Sequence, residues 1–202
     1  MNWDPVRTGV LGGTFDPPHL AHLVLAAAAR RALGLDRVLF VPAGVPWRKA
    51  GREVSPAAAR VRMLQAAIAP LPWAALRTIE VERDGPSYSA ETMETLTAGE
   101  PGDWWFILGS DALADLPHWH EPARLLAATK LALVRRPDGT ERIPPEVFAA
   151  LPGLEARIDP VAAPALEISS TDLRARIRDG RPTQHLLPAP VREVIDELGL
   201  YR

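Results

Sequence analysis

Two kinds of segment alternate along the chain, short runs of apolar residues and longer stretches of helix-forming residues. The apolar runs predict strands over 7–11, 37–41, 75–82, 104–108 and 131–134, with a last short strand over 166–168. The stretches between and after them predict helices over 20–33, 55–69, 89–98, 122–128, 171–179 and 191–198. Strands separated by helices indicate βαβ units and right-handed crossovers. The pattern therefore predicts an α/β fold built on a parallel sheet.

Local signals mark several ends of these elements. Gly34 follows the first helix and is expected to end it. Ser55 is expected to be the N-cap of the next helix, with Pro56 at its first position.

No internal repeat, low-complexity tract or linker divides the 202 residues. The chain is long enough for one well-buried domain. We therefore predict a single domain over 1–202.

The distinctive polar clusters follow the predicted strands directly. They occupy 12–22, 42–49, 109–111, 135–137 and 169–171. In a parallel α/β sheet, ligands bind beyond the carboxyl ends of the strands. The clusters are therefore expected to converge on one ligand site.

Composition narrows the class of protein. The formal net charge is −2, so no basic excess points to nucleic acid as a partner. Cysteine is absent, which excludes disulfides, thiolate metal sites and a cysteine nucleophile. The first residues do not read as a signal peptide, and the longest apolar runs are too short to span a membrane. A cytoplasmic protein is expected, and whether it forms a homo-oligomer is left open.

The segment from Gly12 to His22 is the strongest candidate for a binding site. Gly12-Gly13-Thr14-Phe15 follows a strand, and His19 and His22 stand three residues apart at the start of a helix. Unpaired N–H groups and the helix dipole favour an anion there, and the two histidines share one face. The glycines match neither the Walker loop nor the dinucleotide fingerprint, and helix packing could also explain them. Zinc would require a third ligand, so phosphate binding is the better interpretation.

A second candidate site combines three hydroxyls with an arginine. Ile168-Ser169-Ser170-Thr171 precedes a helix, and Arg174 lies one turn into it. A serine-rich N-cap would explain one hydroxyl, whereas an anion site would explain all three and the arginine.

Two other loops carry weaker signals. Lys49, one of only two lysines, lies in the loop 46–49, which could reach a phosphate or could be a solvated surface loop. Trp119 lies between His118 and His120, and its indole could stack on an aromatic ligand or belong to the core. The two flanking histidines are expected to be exposed.

Taken in order, these clusters resemble the nucleotidyltransferase superfamily marked by an H-x-G-H motif, and most closely the bacterial nicotinate-nucleotide adenylyltransferases. The resemblance covers nearly the whole chain. The matching segments are 12–22, 46–49, Arg60-x-x-Met63, 85–92, Gly109-x-Asp111, Trp119, Arg136-Pro137, 168–174 and the C-terminal 187–201. It implies a Rossmann-like doubly wound parallel sheet flanked by helices, of nucleotidyltransferase type.

The resemblance also implies an activity, transfer of the adenylyl group of ATP to nicotinate mononucleotide in NAD biosynthesis. The residues it assigns to ATP are Gly12, Gly13, Thr14, Phe15, His19, His22, Ile168, Ser169, Ser170, Thr171 and Arg174. Those it assigns to the nicotinate nucleotide are Thr14, Lys49, Tyr88, Thr92, Gly109, Asp111, Trp119 and Arg136. His19, His22, Lys49 and Arg174 would be catalytic. Mg²⁺ would bind through ATP phosphates and water, with no protein metal site.

The motifs depart from the family pattern at a few positions. Ala21 replaces the glycine of H-x-G-H, and Trp47-Arg48 replaces a common Pro-His before Lys49. Four alternatives stay open: an adenylyltransferase acting on nicotinamide mononucleotide, one acting on phosphopantetheine, a cytidylyltransferase, and a non-catalytic nucleotide-binding regulator.

Overall fold

The computed structural model describes residues 5–45, 54–135, 143–164 and 166–202. Its strands are β1 (Arg7–Gly13), β2 (Arg37–Pro42), β3 (Ala74–Leu76), β4 (Asp103–Gly109), β5 (Lys130–Arg135) and β6 (Ile158–Ala162). Its helices are α1 (Leu20–Leu33), α2 (Ala57–Ile68), α3 (Ile79–Glu82), α4 (Ser89–Gly99), α5 (Ser110–Asp115), α6 (Pro122–Ala128), α7 (Pro145–Ala150), α8 (Ser170–Arg178) and α9 (Ala189–Glu197). Short 3₁₀ turns span Leu116–His118 and Leu154–Arg157.

The strands form a single sheet in the order β3-β2-β1-β4-β5-β6. The pairings β1–β4, β4–β5 and β5–β6 are parallel, and Val10 is aligned with Phe106 in the first of them. The order reverses between β1 and β4, which is the topological switch point of a doubly wound fold. The predicted α/β class and parallel sheet are confirmed.

The described residues divide into two compact units. The first contains 5–11, 24–39, 88–135 and 143–164, and the second contains 12–23, 40–45, 54–87 and 166–202. In the first unit, β4 and β5 are apolar along nearly their whole length, and Trp104 to Leu108 are all buried. Such continuous apolar strands are expected where both faces of a sheet are covered.

Close packing around β1 explains one glycine of the sequence. A Cβ on Gly9 would lie 2.8 Å from Leu35 Cδ1 and 2.9 Å from Ile107 Cδ1. Any larger residue at this position would force the ends of these two side chains to shift. The first strand is thereby fixed closely against its neighbours, ahead of the turn that bears the histidines.

The prediction of a strand over 75–82 is wrong for most of its length. The strand ends at Leu76, and Ile79–Glu82 form the short helix α3. The Thr78 carbonyl accepts the N–H groups of both Val81 and Glu82, and its hydroxyl bonds the Glu82 carboxylate at 2.5 Å. Over so short a run, the apolar pattern is compatible with either a strand or a helix. The local hydrogen bonds of Thr78 stabilise the helix.

The predicted last strand over 166–168 is also wrong. The sixth strand is Ile158–Ala162, which pairs with β5, whereas Ile168 donates only a local bond to the Leu166 carbonyl. Asp159 and Pro160 concealed this strand in the sequence. Proline is tolerated there because β6 lies at the edge of the sheet.

Ser55 is not the N-cap of α2, which begins at Ala57 with Pro56 in the capping position. Both backbone groups of Ser55 are used elsewhere, as described below. The six-residue helices α5 and α7 were not predicted, because one or two turns give no recognisable period. The helices predicted over 20–33 and 122–128 match α1 and α6 at both ends, and Gly34 ends α1 with a φ of 58°.

Candidate functional site

The turn between β1 and α1 carries both histidines of the sequence motif. Phe15 adopts a left-handed φ of 50° with its ring buried, and a Cβ on Gly13 would lie 3.2 Å from that ring. The Gly13 carbonyl accepts the Ala43 N–H at 2.9 Å, which ties the end of β1 to the segment after β2. The glycine therefore leaves room for a buried aromatic ring on which the turn is built.

His19 and His22 form a stacked pair. Their ring centroids are 3.7 Å apart with planes inclined by 28°, and Phe15 meets His22 edge to face at 5.0 Å. The His19 backbone N–H donates to His22 Nδ1 at 3.1 Å. Because Nδ1 accepts, the neutral His22 ring carries its proton on Nε2, where it is a hydrogen-bond donor.

His19 lies deeper than His22. The residue is 6% exposed, and its Nδ1 has no hydrogen-bond partner among the residues that the structure describes. Burial lowers the pKa of His19 to about 4, since a charged imidazole would lose its hydration there. At neutral pH this residue is an uncharged imidazole, which can donate or accept a hydrogen bond but adds no charge to the site.

The sequence predicted that backbone amides at the start of α1 would form the anion site. Three of these amides are already used: the Leu20 N–H donates to the Leu186 carbonyl, the His22 N–H to the His19 carbonyl, and the His19 N–H to the His22 ring. The expectation is wrong for these three groups, because the turn itself supplies two of the acceptors and the Leu186 carbonyl supplies the third. The two imidazoles are further candidate groups of this turn for binding a ligand.

The start of α8 lies against this same turn. Ser170 Oγ donates to the Pro17 carbonyl at 2.9 Å, and Arg174 Nη1 donates to the Asp16 carbonyl at 2.8 Å. Ser169 caps the helix by accepting the Asp172 N–H, which is the alternative that the sequence left open for one hydroxyl. The structure thus brings the two predicted anion sites together, although the bonded residues are 153 and 158 positions apart along the chain.

Asp16 is the centre of a buried hydrogen-bond network that sequence reasoning missed. The residue is 3% exposed, and its carboxylate accepts the Tyr201 hydroxyl at 2.5 Å and the Ser55 N–H at 3.1 Å. These two hydrogen bonds compensate the carboxylate for the water that it loses on burial. The sequence signal was an aspartate inside an otherwise apolar turn motif, but nothing in the sequence identified its partners.

Arg60 is the buried cation of this region. It is 1% exposed and donates to four backbone carbonyl oxygens, those of Ser55, Thr14, Ala43 and Gly44. Burial lowers the pKa of Arg60, and the negative charge of Asp16 opposes this effect. The guanidinium thereby joins three loops of the second unit.

The first unit contains a separate aromatic cluster. Tyr88 and His120 stack with centroids 3.9 Å apart, and Trp119 meets Phe106 edge to face at 5.9 Å. The Trp119 indole N–H donates to Asp115 at 3.3 Å. His120 is exposed as expected, yet its ring packs on Tyr88, a contact that sequence spacing could not reveal.

Three further candidates lie near these rings in sequence. Thr92 is 1% exposed and its hydroxyl donates to the Tyr88 carbonyl at 3.1 Å, so it fixes Tyr88 rather than presenting a free surface. Gly109 is the N-cap residue of α5, and the exposed Asp111 lies in the first turn of that helix. Lys49 and Arg136 lie outside the described residues.

Neither a metal-binding cluster nor a membrane-spanning helix is found among the described residues. Over 5–45, 54–135, 143–164 and 166–202, no group of three or more histidine, aspartate or glutamate side chains could hold a metal ion. Within the same ranges, no helix has the length and apolar character needed to cross a membrane.

Comparison with known proteins agrees with the geometry. The family model described as cytidylyltransferase-like matches residues 10–176. A relative from Roseiflexus sp., named as a probable nicotinate-nucleotide adenylyltransferase, is 43% identical over 96% of this chain and 97% of its own. One of the same name from Dehalococcoides mccartyi is 38% identical over 97% of both chains.

Solved structures support the fold. The Plasmodium falciparum nicotinic acid mononucleotide adenylyltransferase complexed with NaAD has a TM-score of 0.78 at 18% identity and covers 96% of this chain and 97% of its own. The same enzyme complexed with APC has a TM-score of 0.76. Both the sequence relatives and the shared architecture confirm the resemblance read from the motifs. The chain belongs to the nicotinate-nucleotide adenylyltransferases, a group of nucleotidyltransferases within the cytidylyltransferase-like family.

Proposed function

We propose that this protein transfers the adenylyl group of ATP to nicotinate mononucleotide, giving nicotinate adenine dinucleotide and pyrophosphate in NAD biosynthesis. The observation that carries the proposal is the stacked pair of His19 and His22, held in a buried turn against the start of α8. The curated relatives bear the name of this activity over almost their whole length.

The reaction needs no covalent intermediate with the protein. A phosphate oxygen of the mononucleotide attacks the α-phosphorus of ATP, the new P–O bond forms in line, and the bond to pyrophosphate breaks. Catalysis then depends on positioning the reactants and stabilising charge on the phosphoryl oxygens. The side chains proposed for this role are His19, His22, Lys49 and Arg174.

The imidazoles are suited to this task as neutral donors. His22 carries its proton on Nε2 because Nδ1 accepts the His19 N–H, so Nε2–H would donate to an α-phosphate oxygen. His19, which burial keeps neutral, would bind the phosphates through its other ring nitrogen, Nε2. Arg174 would keep one edge on the Asp16 carbonyl and direct the rest of its guanidinium to the triphosphate. The remaining proposed ATP contacts are Gly12, Gly13, Thr14, Phe15 and the 168–171 turn.

A divalent cation completes the proposed reaction. The imidazoles of the turn suit Mg²⁺ poorly, and the buried Asp16 carboxylate already accepts hydrogen bonds from Ser55 and Tyr201. ATP offers phosphate oxygens that suit the ion well. The residues therefore fit a Mg²⁺ ion that arrives on ATP and supplies charge neutralisation at the phosphates. The histidines would hold the nucleotide rather than the ion.

The aromatic cluster of the first unit is proposed to take the mononucleotide. Trp119 would stack on the pyridine ring, Tyr88 would line the pocket, and Gly109 and Asp111 would lie at its edge. Thr92 would contribute by holding Tyr88 through its hydroxyl. Lys49 and Arg136 would contact its phosphate, with Thr14 assigned to both substrates. A cytoplasmic location remains a prediction, and the oligomeric state remains open.

A pyrophosphate-release assay tests the proposed function. ATP and Mg²⁺ are offered with nicotinate mononucleotide, nicotinamide mononucleotide or phosphopantetheine as acceptor. We expect release with the mononucleotides and the highest kcat/KM with the acid form. Release with phosphopantetheine alone, or nucleotide binding without any release, would refute the proposal and support one of the two other classes.

His22→Ala is the matching catalytic variant. Loss of a preorganised donor at the transferring phosphate should lower kcat by about 10²-fold or more. The control is His185→Ala, which removes an exposed histidine of the same unit and should leave kcat unchanged. A folded His22→Ala enzyme with near-normal kcat would contradict the role assigned to the histidine pair.

A further inference from the structure

The segment after α9 contributes a side chain to the hydrogen-bond network that supports the histidine turn. After α9 ends at Glu197, the chain reverses at Gly199 with a φ of 61°, and the Leu200 N–H returns to the Ile195 carbonyl at 3.0 Å. This reversal directs Tyr201 back into the second unit. Tyr201 itself has a φ of 64°, a conformation that a residue with a bulky side chain rarely adopts.

The contact made by Tyr201 is specific. Its hydroxyl donates to Asp16 Oδ1 at 2.5 Å and lies 3.7 Å from Met63 Sδ. Burial raises the pKa of Tyr201 and the adjoining Asp16 charge raises it further, so the hydroxyl keeps its proton and remains a donor. A hydrogen bond from a neutral donor to a buried carboxylate is among the stronger contacts available to a side chain.

Asp16 connects the Tyr201 hydroxyl to the turn that bears the two histidines. Its second oxygen accepts the Ser55 N–H, and its backbone carbonyl accepts Arg174 Nη1. Three residues later the chain reaches His19, whose N–H orients the His22 ring. The Tyr201 hydroxyl is therefore bonded to a residue of the histidine turn that lies 185 positions earlier in the chain.

We infer that Tyr201 is a positioning residue of the transfer reaction, whose hydroxyl acts through Asp16 to hold His19 and His22 in place for the α-phosphate of ATP. This inference rests on the proposed function. It assigns no contact between Tyr201 and substrate. Its consequence is that a residue 185 positions away from Asp16 along the chain controls the rate of the chemical step.

The test is Tyr201→Phe, which removes one oxygen atom and keeps the ring. We expect kcat to fall about tenfold, since displacement of a catalytic group by less than 1 Å already costs rate. KM for nicotinate mononucleotide should stay within about twofold, because the aromatic residues proposed to hold its pyridine ring, Tyr88 and Trp119, belong to the first unit. Circular dichroism and the unfolding midpoint of each variant establish that the assayed protein is folded.

Glu197→Gln is the matched control. It removes the exposed ion pair between Glu197 and Arg62, which joins the end of α9 to α2 without touching Asp16. This variant loosens the C-terminal segment but should retain wild-type kcat. An equal loss of kcat in Glu197→Gln would show a general effect of the C-terminus and overturn the inference.

A double-mutant cycle decides whether Tyr201 acts through Asp16. If it does, Tyr201→Phe combined with Asp16→Asn should lower kcat by clearly less than the product of the two single effects. Additive effects, or a Tyr201→Phe enzyme with wild-type kcat, would overturn the inference while leaving the proposed function intact. Wild-type protein that releases no pyrophosphate would instead overturn the proposed function and this inference with it.

Discussion

At the scale of single residues, Asp16, Arg60 and His19 are three of the buried polar side chains of the second unit, and each compensates for its burial in a different way. Asp16 accepts two hydrogen bonds, Arg60 donates to four carbonyl oxygens, and His19 remains neutral. Buried polar groups without such compensation are costly. The exception is Nδ1 of His19, which has no hydrogen-bond partner within the described part of the chain. A buried polar atom left without a partner often has a role in catalysis or ligand binding.

His19 should make stability depend on pH. Its pKa is about 4 in the folded protein and ordinarily 6.5, so the unfolded chain binds the extra proton as pH falls through this window. The stabilisation is fully present above pH 6.5 and is lost progressively down to pH 4, on the order of 3 kcal/mol in all. Urea unfolding between pH 4 and 7 measures the effect.

The comparison variant for this prediction is His19→Asn, which removes the titrating group. The free energy of unfolding of His19→Asn should fall less steeply between pH 6.5 and 4 than that of the wild type. Carboxylates titrate equally in both proteins and cancel in the difference. Identical slopes for the two proteins would contradict the low pKa of His19.

At the scale of elements, α8 is the helix that matters most to the candidate site. It has nine residues, too few for stability in isolation, so its position depends on its cap and on its contacts with the turn. Ser169 and Ser170 are adjacent but serve different purposes. Ser169 caps the helix, whereas Ser170 ties the helix to the Pro17 carbonyl.

Alanine substitution of these two serines should separate stability from catalysis. Ser169→Ala removes the N-cap and should lower the free energy of unfolding by about 1 kcal/mol. Ser170→Ala removes the tie to the turn and should lower kcat at least as much as Ser169→Ala, despite a smaller loss of stability. Denaturant unfolding and steady-state kinetics test both variants, and a Ser170→Ala enzyme with unaltered kcat would contradict the proposed role of the tie.

At the scale of the whole molecule, most of the proposed binding residues separate by unit, although Thr14 of the second unit is assigned to both substrates. The histidine turn, Arg60, α8 and Tyr201 all belong to the second unit, whereas Tyr88, Trp119 and His120 belong to the first. Each group has its own internal contacts. The two substrates should therefore respond to different substitutions.

Trp119→Ala tests this separation. Loss of the stacking surface should raise KM for nicotinate mononucleotide about tenfold and change KM for ATP by less than about twofold. The control is His118→Ala, which removes a largely exposed side chain next to Trp119. Equal changes in both KM values would argue against stacking of the indole on the pyridine ring.

The sequence supported some of these conclusions better than others. The period of apolar residues was sufficient for α1 and for β4, which are long or continuously apolar. It failed for α3 and β6, where a local hydrogen-bond pattern or an edge proline outweighed the period. The motif residues identified the family, but they did not reveal that amides at the start of α1 are used internally.

The sequence by itself determined the α/β class, the parallel sheet and the family, because each depends on patterns local to a few residues or on the order of short motifs. Only the tertiary structure decided how the groups of the candidate site meet. Asp16 is joined to Ser55, Arg174 and Tyr201 across separations of 39 to 185 residues. Hydrogen bonds and burial depend on distances in space, and a linear sequence does not contain those distances until the chain has folded.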